Sequence, residues 1–243
     1  MKTQPTAMIT AQLSTFLSRH HLPDSFRQTA EAFYLPLAEH LPDLRRGPRP
    51  LLLGINGAQG TGKSTLAEFL EMATSALCGW HCAVLSIDDF YLTKTERHAL
   101  AENVHPLFAT RGVPGTHAVE MIEAKLDRLG SLVEGEEAAL PRFDKSTDDR
   151  APESEWPVVA GPLDMIVLEG WCVGSRAQPV ETLETPVNDL ERDEDPDAVW
   201  RRYANEALAQ NYEPLFDRLD ALVFLAAPSF DAIYRWRLEQ EQK

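Results

Sequence analysis

The stretch from Leu51 to Leu77 reads LLLGINGAQGTGKSTLAEFLEMATSAL, and it decides the fold of the chain. A short apolar run comes first, a glycine-rich loop at 57–64 follows, and an amphipathic stretch begins at Leu66. The loop has the spacing G-x-x-x-x-G-K-[ST], which binds phosphate groups when it lies between a strand and a helix. Its glycines let the backbone turn tightly, and its N–H groups point toward an anion at the start of the helix. The stretch therefore predicts a phosphate-binding loop in an α/β fold.

This phosphate-binding loop predicts a nucleoside triphosphate, ATP, as its ligand, together with Mg²⁺. We expect Lys63 to contact the β- and γ-phosphates and the Ser64 hydroxyl to bind Mg²⁺. A chance glycine-rich turn before a helix is the alternative. The predicted nucleotide-binding residues of the loop are Gly57, Ala58, Gln59, Gly60, Thr61, Gly62, Lys63, Ser64 and Thr65.

Length, hydrophobic content and charge limit the class of protein. The chain has 243 residues, of which 44% are hydrophobic, and its formal net charge is −15. This length suits one sizeable domain, and the negative charge argues against nucleic acid as a partner. The sequence contains no apolar run that approaches the length of a membrane span. We therefore expect a cytoplasmic protein without a nucleic-acid or membrane partner, and its oligomeric state stays open.

Two features of the composition point to no definite chemistry. The three cysteines, Cys78, Cys82 and Cys172, show no metal-ligand pattern, and we expect them to be reduced and packed. Residues 181–197 carry eight carboxylates against Arg192 alone, which gives this segment a charge of −7. Such an acidic segment is typical of a solvated, mobile surface loop, and a metal-binding or docking role is the alternative.

Hydrophobic periodicity divides the chain into a helical N-terminal part, residues 1–48, and a nucleotide-binding domain, residues 49–243. Apolar residues recur at helical spacing over 7–21 and 25–41. Nearly continuous apolar runs then alternate with amphipathic stretches, as in a parallel sheet covered on both faces. We predict a three-layer α/β core with a mostly parallel sheet. Its strands are expected at 51–55, 83–87, 164–168 and 220–225, and its helices at 63–78, 93–103, 117–129, 197–210 and from about 229.

Carboxylates stand at the carboxyl ends of two predicted strands, where ligands bind in open α/β sheets. Glu169 follows the strand at 164–168 and is expected to hold Mg²⁺ or its water, with a solvated strand-end carboxylate as the alternative. Asp88 and Asp89 end the strand at 83–87 in the same way. One of them can accept the proton of an attacking hydroxyl, and the other can cap the next helix or organise magnesium water. A pair that only caps the helix is the alternative.

Two later segments bring positive charge into an acidic chain. The loop RGVPGTH presents Arg111 and His117, and the segment LPRFDKSTDDR presents Arg142, Lys145 and Arg150. Cations concentrated in one region of an acidic protein suggest an anionic ligand. A structural role for these loops is the alternative.

The last predicted helix carries Arg235 and Arg237. They are candidates for lid arginines that close over phosphates, and we place Arg237 among the nucleotide-binding residues. A solvated helix face is the alternative.

The motifs together resemble a known group of kinases. The loop at 57–64, SIDDFY at 86–91 and VLEG at 167–170 resemble the superfamily of uridine kinase, pantothenate kinase and phosphoribulokinase. The strings RGVPGTH, FDKSTDDR and VLEGWCVG resemble more particularly the plant-type D-glycerate 3-kinase family, which includes fungal and bacterial kinase-like relatives. The resemblance implies a P-loop kinase that transfers the γ-phosphoryl group of Mg-ATP to a metabolite hydroxyl, with D-glycerate as the first candidate acceptor.

The resemblance also implies roles for individual residues. Lys63 takes the ATP position, Asp88 the position of the catalytic aspartate, and Glu169 a magnesium position beside Ser64. It places Arg111, His117 and Lys145 in the acceptor-side loops, and we add Asp89, Tyr91 and Arg150 as candidate substrate residues.

Two departures from the family pattern stand out. Ala118 occupies a position where the family usually has aspartate, so a helix cap or a substrate contact is expected to be lost. The sequence also ends at Lys243, whereas relatives continue into a last strand and helix, so we expect either a truncated chain or a different closure of the sheet.

Three other functions stay open at this point. A nucleotide-dependent switch or ATPase needs only a positioned water, and it would leave the cationic loops unexplained. A kinase for another hydroxylated metabolite, such as a nucleoside or a pantothenate-like acid, and a catalytically inactive nucleotide-binding protein are the others.

Overall fold

The computed structural model describes the backbone of residues 3–241 and their side chains, except those of residues 3–8, 10, 237 and 239–241. Its helices are α1 Thr3–Arg19, α2 Phe26–Thr29, α3 Leu35–Leu44, α4 Lys63–Cys78, α5 Lys94–Asn103, α6 Val119–Gly130, α7 Asp189–Glu194, α8 Val199–Ala207, α9 Glu213–Phe216 and α10 Phe230–Glu241. Its strands are β1 Leu51–Gly57, β2 Cys82–Ser86, β3 Glu137–Ala139, β4 Phe143–Asp144, β5 Asp149–Arg150, β6 Val158–Ala160, β7 Met165–Gly170 and β8 Ala221–Leu225. Single π-helical turns join α2 to α3 and α8 to α9.

The strands β2, β7, β1 and β8 form a parallel sheet in that order. The central strands β1 and β7 are buried along their whole length, because helices cover both faces of the sheet. The predicted α/β class and the four predicted strands are confirmed. Two small antiparallel pairs, β3 with β6 and β4 with β5, were not predicted. Their strands have only two or three residues each, which is too short for a periodic signal.

Two hydrophobic clusters fill the space between the sheet and its helices. The first joins β1 and β7 to α1, α3 and α4, with Phe16, Leu41 and Phe69 among its members. The second joins the other face of the sheet to α6 and α9, with Ile122 and Phe216 among its members. Burying such a side chain fully stabilises the fold by about 1.5–3 kcal/mol. Since α1 and α3 share a cluster with the sheet, the N-terminal helices pack on the core, and the division at residue 48 stays a prediction.

The register of the sheet places three chemical groups at one edge. Glu169 of β7 lies opposite Ile55 of β1 and opposite Ser86 of β2. The loop at 57–64 therefore follows β1 next to Glu169, and Asp88 follows β2 on the other side. This edge is the carboxyl edge of the parallel strands, where ligands bind in open α/β sheets.

The outer strand β8 is partly exposed. The side chains of Leu222 and Phe224 are 47% and 66% exposed, and they alternate with half-buried residues that face the first cluster. The strand and helix expected beyond Lys243 concern residues outside this sequence and stay a prediction.

The acidic segment at 181–197 is mostly exposed, as expected, but it contains a short helix and a buried carboxylate. It contains α7, whose first turn is capped by the Asn188 side chain. Asp195 is buried, and its Oδ2 accepts a hydrogen bond from Arg201 Nη1 at 2.9 Å. This ion pair fixes the end of the segment to α8, which charge counting along the sequence could not reveal.

The cysteines point to no additional function, and neither do searches of the described residues for metal-binding clusters and membrane-spanning helices. Cys78, Cys82 and Cys172 are free thiols. Within the described residues, His, Cys, Asp and Glu side chains form no group of three or more that could hold a metal ion. No helix in the described part of the chain is long and apolar enough to cross a membrane.

Candidate active site

The glycine-rich loop leaves β1 and enters α4 with the backbone that the motif requires. Gly60 and Gly62 have φ angles of 80° and 89°, in the left-handed region that favours glycine. A Cβ on Gly57 would lie 2.6 Å from Thr61 Oγ1, and one on Gly60 would lie 2.6 Å from Trp236 Cβ of α10. The Thr61 hydroxyl donates to the Ala58 carbonyl at 2.7 Å and fixes the turn. The loop can therefore fold against Thr61 and Trp236 only because Gly57 and Gly60 lack side chains.

The start of α4 offers its N–H groups to a ligand. Gly62 is the N-cap of α4, and no side chain caps this end of the helix. The first turn also carries no acidic residue. Free N–H groups and the positive end of the helix dipole together favour an anion at this point.

Lys63 is the first residue of α4, and its side chain bends back over the loop. Its Nζ donates to the Ala58 carbonyl at 3.2 Å. Burial lowers the pKa of Lys63, while the nearby carboxylates of Glu169 and Asp88 oppose this shift. The ammonium group thus lies in a partly desolvated position where bound phosphate would be an additional counter-charge.

Ser64 and Glu169 meet at the base of the loop. The Ser64 hydroxyl donates to Glu169 Oε1 at 2.9 Å. Glu169 is buried, and burial raises its pKa, while the hydrogen bond from Ser64 and the charge of Lys63 oppose this shift. A hydroxyl and a carboxylate in contact are hard oxygen ligands of the kind that Mg²⁺ prefers. Both side chains are therefore suited to the metal that the sequence predicts.

A cavity of about 410 Å³ opens beside the loop. Its walls come from the loop, from the ends of β2 and β7, and from the β4–β5 turn. The residues that line it are Gln59, Gly60, Gly62, Lys63, Ser64, Thr65, Ser86, Asp88, Asp89, Lys145, Glu169, Gly170 and Trp171. Six of the nine predicted loop residues thus lie on one cavity with Asp88, Lys145 and Glu169.

Asp88 lies in a short 3-10 turn, Ile87–Phe90, directly after β2. Its Oδ1 accepts a hydrogen bond from the Tyr91 hydroxyl at 3.1 Å, and its Oδ2 accepts one from Lys145 Nζ at 3.2 Å. The side chain is 32% exposed, toward the cavity. Each oxygen therefore has one protein donor, and a carboxylate oxygen has a second lone pair for another ligand.

Asp89 also lines the cavity, but both of its carboxylate oxygens already accept hydrogen bonds from the segment at the start of β4. Its Oδ1 accepts from the Phe143 N–H at 3.1 Å, and its Oδ2 accepts from Arg142 Nη1 at 2.5 Å. Burial raises the pKa of Asp89, although these two partners oppose the shift. Asp89 thus ties the turn after β2 to β4.

The alternative that Asp88 and Asp89 only cap the next helix is wrong. Thr93 caps α5, because its side chain accepts from the Glu96 N–H, and the Glu96 carboxylate accepts from the Thr93 N–H at 2.7 Å. This reciprocal pair satisfies the start of the helix without either aspartate.

His117 lies behind Tyr91 and does not line the cavity. The two rings stack with centroids 4.4 Å apart, and His117 Nδ1 lies 2.7 Å from the hydroxyl of Tyr212. His117 Nε2 has no hydrogen-bond partner among the described residues. Burial lowers the pKa of His117 to about 4, since an imidazolium would need a partner for both N–H groups. His117 is therefore a neutral support for Tyr91, one step away from the cavity.

The side chains of the cations predicted on the acceptor side differ in whether they line the cavity. Lys145 lines the cavity, whereas Arg150 Nη2 donates to the Tyr91 carbonyl at 3.0 Å. Arg111 donates to Asp148 and lies over the Phe143 ring. Neither arginine is among the residues that line the cavity.

The side chain of Arg237 lies outside the described residues. Arg235, on the same helix, donates from Nε to the Asp231 carbonyl at 3.3 Å. The lid role expected for these arginines stays a prediction.

Sequence reasoning missed three residues near this site. Trp171 lines the cavity, and its Nε1 donates to the Gly112 carbonyl at 3.0 Å. Tyr212 supports His117 and also accepts from the Gly115 N–H at 2.9 Å. Asp148 accepts from Arg111 and from the buried Arg97. Trp171 directly follows VLEG and Asp148 lies within FDKSTDDR, so both had a local signal, whereas the contacts of Tyr212 depend on distant segments.

Ala118 is the N-cap residue of α6, and this helix start has no side-chain cap. The helix cap whose loss the sequence predicts is thus absent at this position.

Known proteins are similar to this chain over most of its length. No family model matches the chain. The chain is 38% identical over 208 residues to the "Uncharacterized kinase mug58" of Schizosaccharomyces pombe, and the match covers 79% of the chain and 70% of that protein. It is 32% identical over 203 residues to the chloroplastic D-glycerate 3-kinase of Arabidopsis thaliana. The chain belongs to the plant-type D-glycerate 3-kinase family of P-loop kinases.

A solved structure agrees with this family. The D-glycerate 3-kinase of Cryptococcus neoformans superposes with a TM-score of 0.69 at 29% identity, over 90% of this chain and 79% of that protein. The predicted fold and the predicted class of enzyme, an ATP-dependent kinase, are confirmed. The match to the Arabidopsis enzyme spans 41% of the length of that protein.

Proposed function

We propose that this member of the family transfers the γ-phosphoryl group of Mg-ATP to a hydroxyl of a small hydroxy acid, with D-glycerate as the acceptor. One observation carries the proposal: the Asp88 carboxylate opens onto the same cavity as Lys63 and the glycine-rich loop. A phosphoryl donor and a base for the acceptor hydroxyl then meet in one space. The names of the Arabidopsis and Cryptococcus relatives support D-glycerate.

On the nucleotide side, the chain supplies N–H groups, one ammonium group and two oxygen ligands. The free start of α4 would hold the phosphates, and Lys63 would neutralise the β- and γ-phosphates. Ser64 and Glu169 would hold Mg²⁺, which when bound offsets the charge between these phosphates.

On the acceptor side, Asp88 would orient the hydroxyl and take its proton. The acceptor oxygen then bonds to the γ-phosphorus, and the bond from that phosphorus to the bridging oxygen breaks to release ADP. Tyr91 and Lys145 each donate to one oxygen of Asp88, so a second lone pair on each oxygen would be available to the acceptor. A base in this chemistry acts mainly by positioning the nucleophile.

The acceptor's carboxylate would suit the cations around the cavity. Lys145 lines it, and Arg150 donates to Tyr91, the residue that contacts Asp88. Arg111 pairs with Asp148, in the same turn as Lys145, in a chain whose net charge is −15. A hydroxy acid brings the anion that these cations favour, whereas an uncharged nucleoside does not.

The test is a panel of acceptors with Mg-ATP, in which ADP release and phosphorylated products are both measured. D-Glycerate, L-glycerate, pantothenate and uridine cover the candidates. We expect ADP release that depends on D-glycerate and equals the amount of phosphoglycerate formed. ADP formed at the same rate without any acceptor would establish an ATPase, and preference for another acceptor would refute the assignment of D-glycerate.

A further inference from the structure

We propose that Asp148 is the positioning residue of the acceptor side, because it holds Arg111 and the turn that carries Lys145. The inference rests on the kinase reaction proposed above. Asp148 itself forms an ion pair with Arg97, a fully buried arginine of α5.

The turn that carries Lys145 is too small to hold its shape alone. It joins β4 and β5, which have two residues each. Strand pairs of this length are not stable by themselves in water. The Asp144 carboxylate fixes the near end of the turn by accepting from the Ser146 N–H at 2.8 Å and from Thr147 Oγ1 at 2.9 Å. The far end of the turn is Asp148.

Asp148 joins the far end of the turn to the protein. Its φ angle of 57° is in the left-handed region, which aspartate and asparagine tolerate better than most residues. Its Oδ2 accepts from Arg97 Nη2 at 2.6 Å, and its carbonyl accepts from the same nitrogen at 2.9 Å. Arg97 thus binds both the side chain and the backbone of this one residue.

Arg97 is well satisfied for a buried cation. Besides Asp148, it donates to the carbonyls of Leu92 at 2.6 Å and Ala109 at 3.3 Å. Its guanidinium lies over the Phe143 ring, 5.6 Å from the centroid. A buried guanidinium needs a counter-charge in good geometry, and Asp148 is the carboxylate with which Arg97 forms its ion pair. The position of Asp148 is therefore fixed by the core of the protein.

The other oxygen of Asp148 holds Arg111. Oδ1 accepts from Arg111 Nη1, so one carboxylate is shared by two arginines. Arg111 lies over the same Phe143 ring, 5.3 Å from the centroid. This contact uses one nitrogen of Arg111, and a guanidinium has five N–H donors in a rigid fork. Asp148 thus orients Arg111 and leaves donors for an anionic acceptor.

Loss of this carboxylate should weaken binding of the acceptor and leave binding of the nucleotide unchanged. In Asp148→Asn the amide keeps the size of the side chain and tolerates the positive φ angle, but it removes the charge that orients Arg111. We expect the KM for D-glycerate to rise about tenfold or more, as the loss of one charge-assisted hydrogen bond implies. The KM for ATP should stay within about twofold, since the loop at 57–64 has no hydrogen bond to Asp148.

The experiment compares Asp148→Asn with the matched control Asp149→Asn. Asp149 follows Asp148 as the first residue of β5, and its Oδ1 accepts from the N–H groups of Lys94 and Arg150, contacts that asparagine can keep. The control should retain the wild-type KM for D-glycerate. Asp148→Asn should raise the KM less in the Arg111→Gln background than in the wild type, because part of its effect passes through Arg111. A role in stability alone would lower the melting temperature and leave the KM unchanged.

Each outcome decides the matter. Suppose that the wild type shows turnover that depends on D-glycerate. An unchanged KM in folded Asp148→Asn, or additive effects in the double variant, would then overturn this inference and leave the proposed function standing. If the wild type phosphorylates no acceptor, the proposed function fails and this inference fails with it. If Asp148→Asn does not fold, Asp148→Glu keeps the charge for Arg97 and displaces the carboxylate, and a wild-type KM in that variant would refute the inference.

Discussion

Replacing His117 by asparagine tests whether this histidine is buried in a neutral form against Tyr91, the residue that contacts Asp88. His117 is buried, its Nδ1 contacts the Tyr212 hydroxyl, and its Nε2 has no partner among the described residues. Its pKa in the folded protein is lowered to about 4, against 6.5 for an unperturbed histidine. Asparagine can keep an acceptor near Tyr212 but does not titrate.

The sign of the effect follows from proton uptake. As the pH falls through 6.5, the unfolded chain protonates at His117, whereas the folded protein does so only near pH 4. Protons therefore favour the unfolded state in this range, and stability that is complete above the unfolded pKa is lost as the pH falls. At 1.36 kcal/mol per pH unit, the loss at about pH 5 is about 2 kcal/mol relative to about pH 8.

Urea denaturation of wild type and His117→Asn across this pH range measures the difference. The wild type should lose about 2 kcal/mol more than the variant between about pH 8 and pH 5. Raised pKa values of Glu169 and Asp89 act equally in both proteins, so the difference isolates His117. The control His98→Asn changes an exposed histidine and should behave as the wild type. The same pH dependence in wild type and His117→Asn would refute the reasoning.

Three further predictions concern the nucleotide, the base and a helix cap. Lys63→Ala should weaken ATP binding by about 1.5–3 kcal/mol in calorimetry, while the control Lys145→Ala should not; equal ATP affinity of wild type and Lys63→Ala would contradict the nucleotide site. Asp88→Asn should lower turnover by about 10²–10⁴-fold with ATP affinity unchanged, and a larger loss in Asp89→Asn would place the base one residue further along. Ala118→Asp should stabilise the protein against urea by about 0.5–2 kcal/mol by capping α6, and no gain would show that this helix start is satisfied in another way.

The sequence predicts the nucleotide side of the site well, for a local reason. Gly57 to Ser64 are consecutive, and Glu169 and Asp88 each end an apolar run. In a parallel sheet the ends of neighbouring strands lie at one edge, so position along the chain is enough to bring these groups together.

The acceptor side is less predictable, because its contacts join distant segments. Arg111 and Asp148 are 37 residues apart, and His117 and Tyr212 are 95 residues apart. The RGVPGTH loop identifies Arg111 and His117 as a pair, yet neither of them lines the cavity. Among the cations predicted on the acceptor side, all of which the structure describes, Lys145 alone lines the cavity, since it lies on the exposed part of its turn.

The central claim is that ATP and a hydroxy acid react across the cavity beside the loop. Phosphorus NMR of the protein mixed with Mg-ATP and D-glycerate observes the reaction directly. We predict that the γ-phosphoryl signal is converted into that of a phosphate ester of glycerate in the wild type, and that Asp88→Asn, with ATP still bound, slows this conversion. Inorganic phosphate in place of the ester, or no change in the ATP signals of the wild type, would contradict the account.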